Sequence, residues 1–145
     1  MAMRFARAIT GTSFGLTCLL VLGCGGHPAS VTGTITLDGR ALPAGANGGV
    51  TFHPVAGGTP ANALLLPDGT YNLNTGSQHG LEPGRYRVTI TVLETLPPRL
   101  KDGTQEPGKL LSAQRYRDKE RSGLEVEVKP GKNRVDFDVD MKRDN

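Results

Sequence analysis

The sequence predicts an all-β fold: a seven-stranded β-sandwich preceded by one apolar N-terminal helix. Three observations carry this. The 145 residues include 20 Gly and 10 Pro but no Trp, a turn-rich composition. Apolar and polar residues alternate with period two in run after run, the mark of a strand with one buried face. Turn signals separate the runs at intervals of roughly 8–15 residues, as in sandwiches. The length suits one domain.

The first element is not part of that domain. "MAMRFAR" is a short basic start, and no charge follows from Ala8 to Gly26. The apolar run ends in "VLGC" at Val21 to Cys24, with the small Gly23 directly before the cysteine. A basic start, an apolar run and a small residue before the cut make a secretory signal. A cysteine at that place resembles the lipobox of bacterial lipoprotein precursors. The resemblance implies cleavage between Gly23 and Cys24, a diacylglycerol on the Cys24 thiol and an acylated new amine. A transmembrane helix of ~20 residues is the competing reading. Thr10, Thr12, Ser13 and Thr17 weaken its first half, and no basic cluster follows Gly26. A disulfide fails by counting, since Cys18 would leave with residues 1–23. Residues 24–30 then read as a tether, 31–140 as the sandwich and 141–145 as a tail.

In "SVTGTITL", Val31, Gly33, Ile35 and Leu37 share one face and Thr32, Thr34 and Thr36 the other, and Asp38–Gly39 turns the chain. In "GGVTFHPV", Val50 and Phe52 point inward, and Pro54 ends the pairing. "NALLLPDGTYNLNT" reads as strand, turn, strand, with Tyr71 and Leu73 inward; the pattern leaves the face of Leu64 to Leu66 open. "LEPGRYRVTITVLE" has Tyr86, Val88, Ile90 and Val92 inside and Arg85, Arg87, Thr89 and Thr91 outside. "GLEVEVKPGKNRVDFDVDMK" reads as a hairpin turning at "PGKN". Its inner rows are Leu124, Val126, Val128 and Val135, Phe137, Val139. Between these runs, residues 94–123 lose all alternation. Loops this long are functional or disordered, and "SAQRY" within it reads as a short helical turn.

The strings "VTGTITLDGRALPAGANGGVTFHP", "PDGTYNL" and "GLEPGRYRVTI" resemble the carboxypeptidase regulatory-like domain, a transthyretin-like, immunoglobulin-like β-sandwich. The tail "RYRDKERSGLEVEVKPGKNRVDFDV" resembles the ending of small bacterial lipoproteins with this domain. These are turn and core motifs, so they imply a fold and not a chemistry. The resemblance implies an accessory or interaction module. The extra glycines of "ALPAGANGG" depart from the pattern.

Charge narrows the function. The formal net charge is +3, but Arg4 and Arg7 are two of the 17 basic residues. Without residues 1–23, 15 basic side chains face 14 acids. No basic run remains to follow a phosphate backbone, so no nucleic-acid partner is expected. His27, His53 and His79 have no metal-ligand spacing, and loop solvation is the better account. Asp136, Asp138 and Asp140 alternate without the glycine and glutamate of a calcium loop. They read as a solvated outer row, opposite Arg85 and Arg87. No cofactor is expected. Ser77, Ser112 and Ser122 lack a nucleophile elbow. The hydroxyisourate hydrolase among transthyretin-like proteins ends in "YRGS", whereas this chain ends in "MKRDN". A non-enzymatic protein is expected, held at a bacterial membrane by lipid on Cys24, at the outer membrane or periplasmic face. Its partner would be an envelope protein. The alternative is an accessory module for envelope polysaccharide, using the loop 94–121. There Tyr116, flanked by Arg115 and Arg117, is the best candidate for an exposed stacking ring; packing of that tyrosine onto the sandwich is the simpler expectation.

Overall fold

A computed structural model describes residues 29–95, 99–104, 106 and 108–142. Residues 1–28, with the expected signal helix, Gly23 and Cys24, lie outside it. The described chain is all-β, in two sheets that enclose one core. Strands β1 (Ala29–Leu37), β4 (Thr70–Asn72), β9 (Gly131–Arg134) and β10 (Phe137–Val139) form the first sheet. In the second sheet, β6 (Gln78–His79), β5 (Asn74–Thr75), β3 (Ala61–Leu64), β2 (Asn47–Pro54), β7 (Gly84–Leu93) and β8 (Glu125–Val128) lie side by side in that order.

The predicted inner rows of the first strands are buried; in the C-terminal rows Val128 and Val139 are buried and Leu124, Val126, Val135 and Phe137 only partly so. Val31, Ile35 and Leu37 of β1, Val50 and Phe52 of β2, and Val88, Ile90 and Val92 of β7 are wholly removed from solvent. Burial of each such side chain contributes about 1.5–3 kcal/mol against chain entropy. Phe52 joins the two sheets, its ring 5.9 Å from that of Tyr86 and 6.2 Å from that of Phe137. The open question at Leu64 to Leu66 resolves by alternation: Leu65 is buried, while Leu64 is 82% and Leu66 55% exposed.

Four expectations change. β1 starts at Ala29, so the last two residues of the expected tether are strand. Ten strand segments replace seven among the described residues: the run through Tyr71 breaks where it changes sheet, a short β6 is added, and the last run divides into β9 and β10 along β1. After Asn72, the Leu73 amide donates to the Val31 carbonyl of the first sheet, and Asn74 already pairs with Asn62 of the second. The expected C-terminal hairpin is also absent. β8 pairs with β7, but β9 and β10 pair in parallel with β1 across the sandwich. The reason lies in the turn. Gly131 adopts a left-handed φ of 90°, and the Asn133 side chain satisfies the Lys129 amide and carbonyl that a hairpin partner would take. The returning strand is then free to fill the open edge of β1. That placement also moves the aspartates away from Arg85 and Arg87, which pair instead with Glu125 and Glu120.

The strands have two poles. At the near pole, β1 begins beside Leu81 and Gly131, close to the turn after Pro54 and the start of β7. At the far pole, β1 ends at Leu37, β7 ends at Leu93, and the chain turns at Leu66–Gly69.

Candidate functional site

The segment after β7 is a strap across the far pole. It leaves the sheet at Glu94, whose amide donates to Lys109 at 2.8 Å, and returns through a bridge between Leu93 and Leu110. A tight turn sits between, where the Leu100 and Gly103 amides donate to Thr104 and Leu100 carbonyls. Beyond it, Ser112 is fully buried, and its hydroxyl accepts the Val92 amide at 3.1 Å. The strap is tied to the C-terminus as well. Ala113 donates to the Asp140 carbonyl, and Lys142 to that of Leu111. The expected tail 141–145 is thus engaged as far as Lys142.

The expected helical turn is the 3₁₀ turn η1 (Gln114–Arg117). Its shape settles the candidate residues. Tyr116 is buried, 4% exposed, so it is not an open stacking ring. Its hydroxyl accepts from Arg115 Nη2 at 2.7 Å and lies 3.3 Å from Asp140 Oδ2. The Arg115 guanidinium stacks over the ring at 4.7 Å and pairs with Asp140. Arg117 points to solvent. Tyr116 therefore packs onto the sandwich, the simpler of the two expectations, with Arg115 latched over its ring and Arg117 exposed beside it. A 3₁₀ turn brings one side chain per turn inward, and the only aromatic one takes that place.

Two depressions lie toward the strap's end of the sandwich, and a third lies beside the end of β2. One of about 390 Å³ is lined by Ala113, Arg115, Asp140 and Met141. A larger apolar one, about 470 Å³, runs over Gly48 and Gly49 between Leu64, Leu65, Thr91 and Leu93. The sequence reading missed it; the signal was "ANGG" beside "LLL", bare backbone next to leucines. The third, about 310 Å³, is polar, with His53, Arg87, Lys119 and Glu120. Here His53 is half-buried rather than loop-solvated, its Nε2 3.0 Å from the Thr89 hydroxyl. Burial and the Lys119 ammonium hold its pKa below the ordinary histidine value. His79 is exposed on β6, its Nδ1 2.8 Å from the Asn74 side-chain oxygen.

The aspartate row is structural in its contacts. Asp136 accepts from the Thr34 amide at 2.8 Å and from Arg134 at 3.0 Å. Asp138 accepts from the Thr36 hydroxyl and the Gly39 amide at 2.8 and 2.7 Å. These donors hold both carboxyls below the usual carboxylate range: the Arg134 guanidinium first for Asp136, the Gly39 amide first for Asp138. Among the described residues no three His, Cys, Asp or Glu side chains converge as a metal site would need, and no helix is long and apolar enough to cross a membrane. No protein family, curated protein or solved structure matches this chain.

Proposed function

We propose that this chain is a lipid-anchored, non-enzymatic protein of the bacterial cell envelope, and that its β-sandwich, of transthyretin-like type, is an interaction module. Cys24 carries the lipid after cleavage behind Gly23. One observation carries the reading: β1 begins at the near pole, while the strap and the apolar depression lie at the far pole. A chain attached through its N-terminus therefore presents the 94–111 segment and Leu64 away from the membrane. Several acyl chains hold such a protein durably, at about 0.8 kcal/mol per buried CH₂. The partner is read as an envelope protein, since exposed apolar side chains grouped beside bare backbone suit protein contact. The polysaccharide reading loses its main support with the burial of Tyr116.

The test is cross-linking in cells followed by capture of the tagged chain, with Leu64→Asp as the comparison. Leu64 is 82% exposed, so the variant should fold. A partner captured by the parent chain and lost with the variant supports the reading. Identical captures from both, or retention on purified envelope polysaccharide alone, would contradict it.

A further inference from the structure

We infer that the near pole of the sandwich rests on the membrane, with the turn Lys129-Pro130-Gly131-Lys132 against anionic lipid headgroups. This deepens the proposed function and rests on its reading of Cys24.

The argument begins with reach. Cys24 stands five residues before Ala29. A fully extended chain spans at most about 3.6 Å per residue, so Ala29 lies within about 18 Å of an anchored cysteine. In β1, Ala29 pairs with Gly131 and Ser30 with Lys132. The turn is thus the immediate neighbour of the point where the chain enters the fold. Both lysines are exposed, and no ion pair joins either to an acid among the described residues. The left-handed Gly131 and the Asn133 side chain hold the backbone of the turn in one shape, which keeps both lysines at the surface of this pole.

The rest of the pole agrees. Val55, half exposed, is placed there by the hydrogen bond from its amide to the Arg85 carbonyl. The acids of this pole are Glu82, Glu127 and Glu120; Glu127 stands opposite Arg85 in the β7–β8 register, and Glu120, in the depression beside Pro54 and Val55, pairs with Arg87. Asp38, Asp68, Asp102 and Asp140 belong to turns and strand ends of the far pole. At the far pole the acids are accompanied by Arg40, Lys101, Lys109 and Arg115, whereas Lys129 and Lys132 meet no acid among the described residues. An anionic leaflet attracts such lysines within a Debye length of about 8–10 Å. That favours a standing orientation over a freely swinging domain.

The test is acetylation of the full, membrane-extracted chain in vesicles, read by peptide mass. Vesicles of phosphatidylethanolamine with phosphatidylglycerol are compared with phosphatidylcholine alone. In the anionic vesicles, Lys129 and Lys132 should label about fivefold more slowly than in neutral ones, the size expected of a lysine at an anionic surface. Lys101, on the strap, should label equally in both. In a K129E/K132E variant, the amides of the turn after Pro54 should lose the protection from hydrogen exchange that anionic vesicles give the parent chain. Equal labelling of Lys129, Lys132 and Lys101 in both vesicles overturns the inference. Intact mass separates the two failures: an acylated Cys24 with uniform labelling sinks the orientation alone, whereas an unacylated Cys24 sinks the anchor and this inference with it.

Discussion

At Gly33, strand β1, strand β4 and the link between β9 and β10 meet with no side chain between them. A Cβ there would lie 1.7 Å from the Val135 carbonyl oxygen and 2.8 Å from the Tyr71 hydroxyl. The bare backbone lets the Tyr71 ring lie over β1, and its hydroxyl donates to that carbonyl at 2.6 Å. Burial, then the nearby Asp136, pushes the Tyr71 pKa up, so the phenol stays a donor through the alkaline range. Gly33→Ala is expected to cost about 3 kcal/mol or more, because backbone must move; urea unfolding measures it. Tyr116 allows a sharper contrast. As a buried latch, Tyr116→Ala should cost about 3 kcal/mol, while Arg117→Ala should stay within about 0.5 kcal/mol. Equal, small effects on the melting curve would return Tyr116 to the surface. Period-two reading put Gly33 on the inner face correctly, but the reason for a glycine there was invisible, since it depends on a carbonyl 102 residues later.

At the scale of elements, alternation assigns faces and leaves sheets open. Both rows of the C-terminal run were legible as strands; their separation into two sheets was not, because a strand carries the same pattern beside β7 or beside β1. The strap was legible only as a loss of pattern. Its anchoring uses scattered backbone hydrogen bonds to Val92, Glu94 and Asp140, together with the buried Ser112 hydroxyl. Ser112→Ala leaves the buried Val92 amide without that acceptor and should cost about 1–3 kcal/mol, with faster hydrogen exchange at the end of β7. The joint of β10 to β1 is also acid-sensitive. The Asp138 pKa is lowered in the fold, so its contribution is present above the unfolded value near 3.9 and lost as pH falls through the folded one. Asp138→Asn should flatten the acid limb of a stability–pH profile. An unchanged slope below pH 4 would mean that its contacts to Thr36 and Gly39 contribute nothing.

For the whole molecule, topology and sequence meet at Ala29. The sequence supplied a candidate attachment point, and the two-sheet arrangement supplied a direction, with the strap at the opposite end from the chain's start. The proposed interaction module, displayed from a membrane, rests on both. The apolar depression escaped the sequence reading because its walls come from three strands distant in the chain, Asn47 to Gly49, Leu64 and Leu65, and Thr91 to Leu93. All of this turns on Cys24. Intact mass of the chain recovered from the membrane fraction is the most direct test. The account predicts a chain that starts at Cys24 and carries a diacylglyceryl group and an N-acyl chain, all of it absent in Cys24→Ser. A mass that includes residues 1–23, or a free thiol on Cys24, would contradict it.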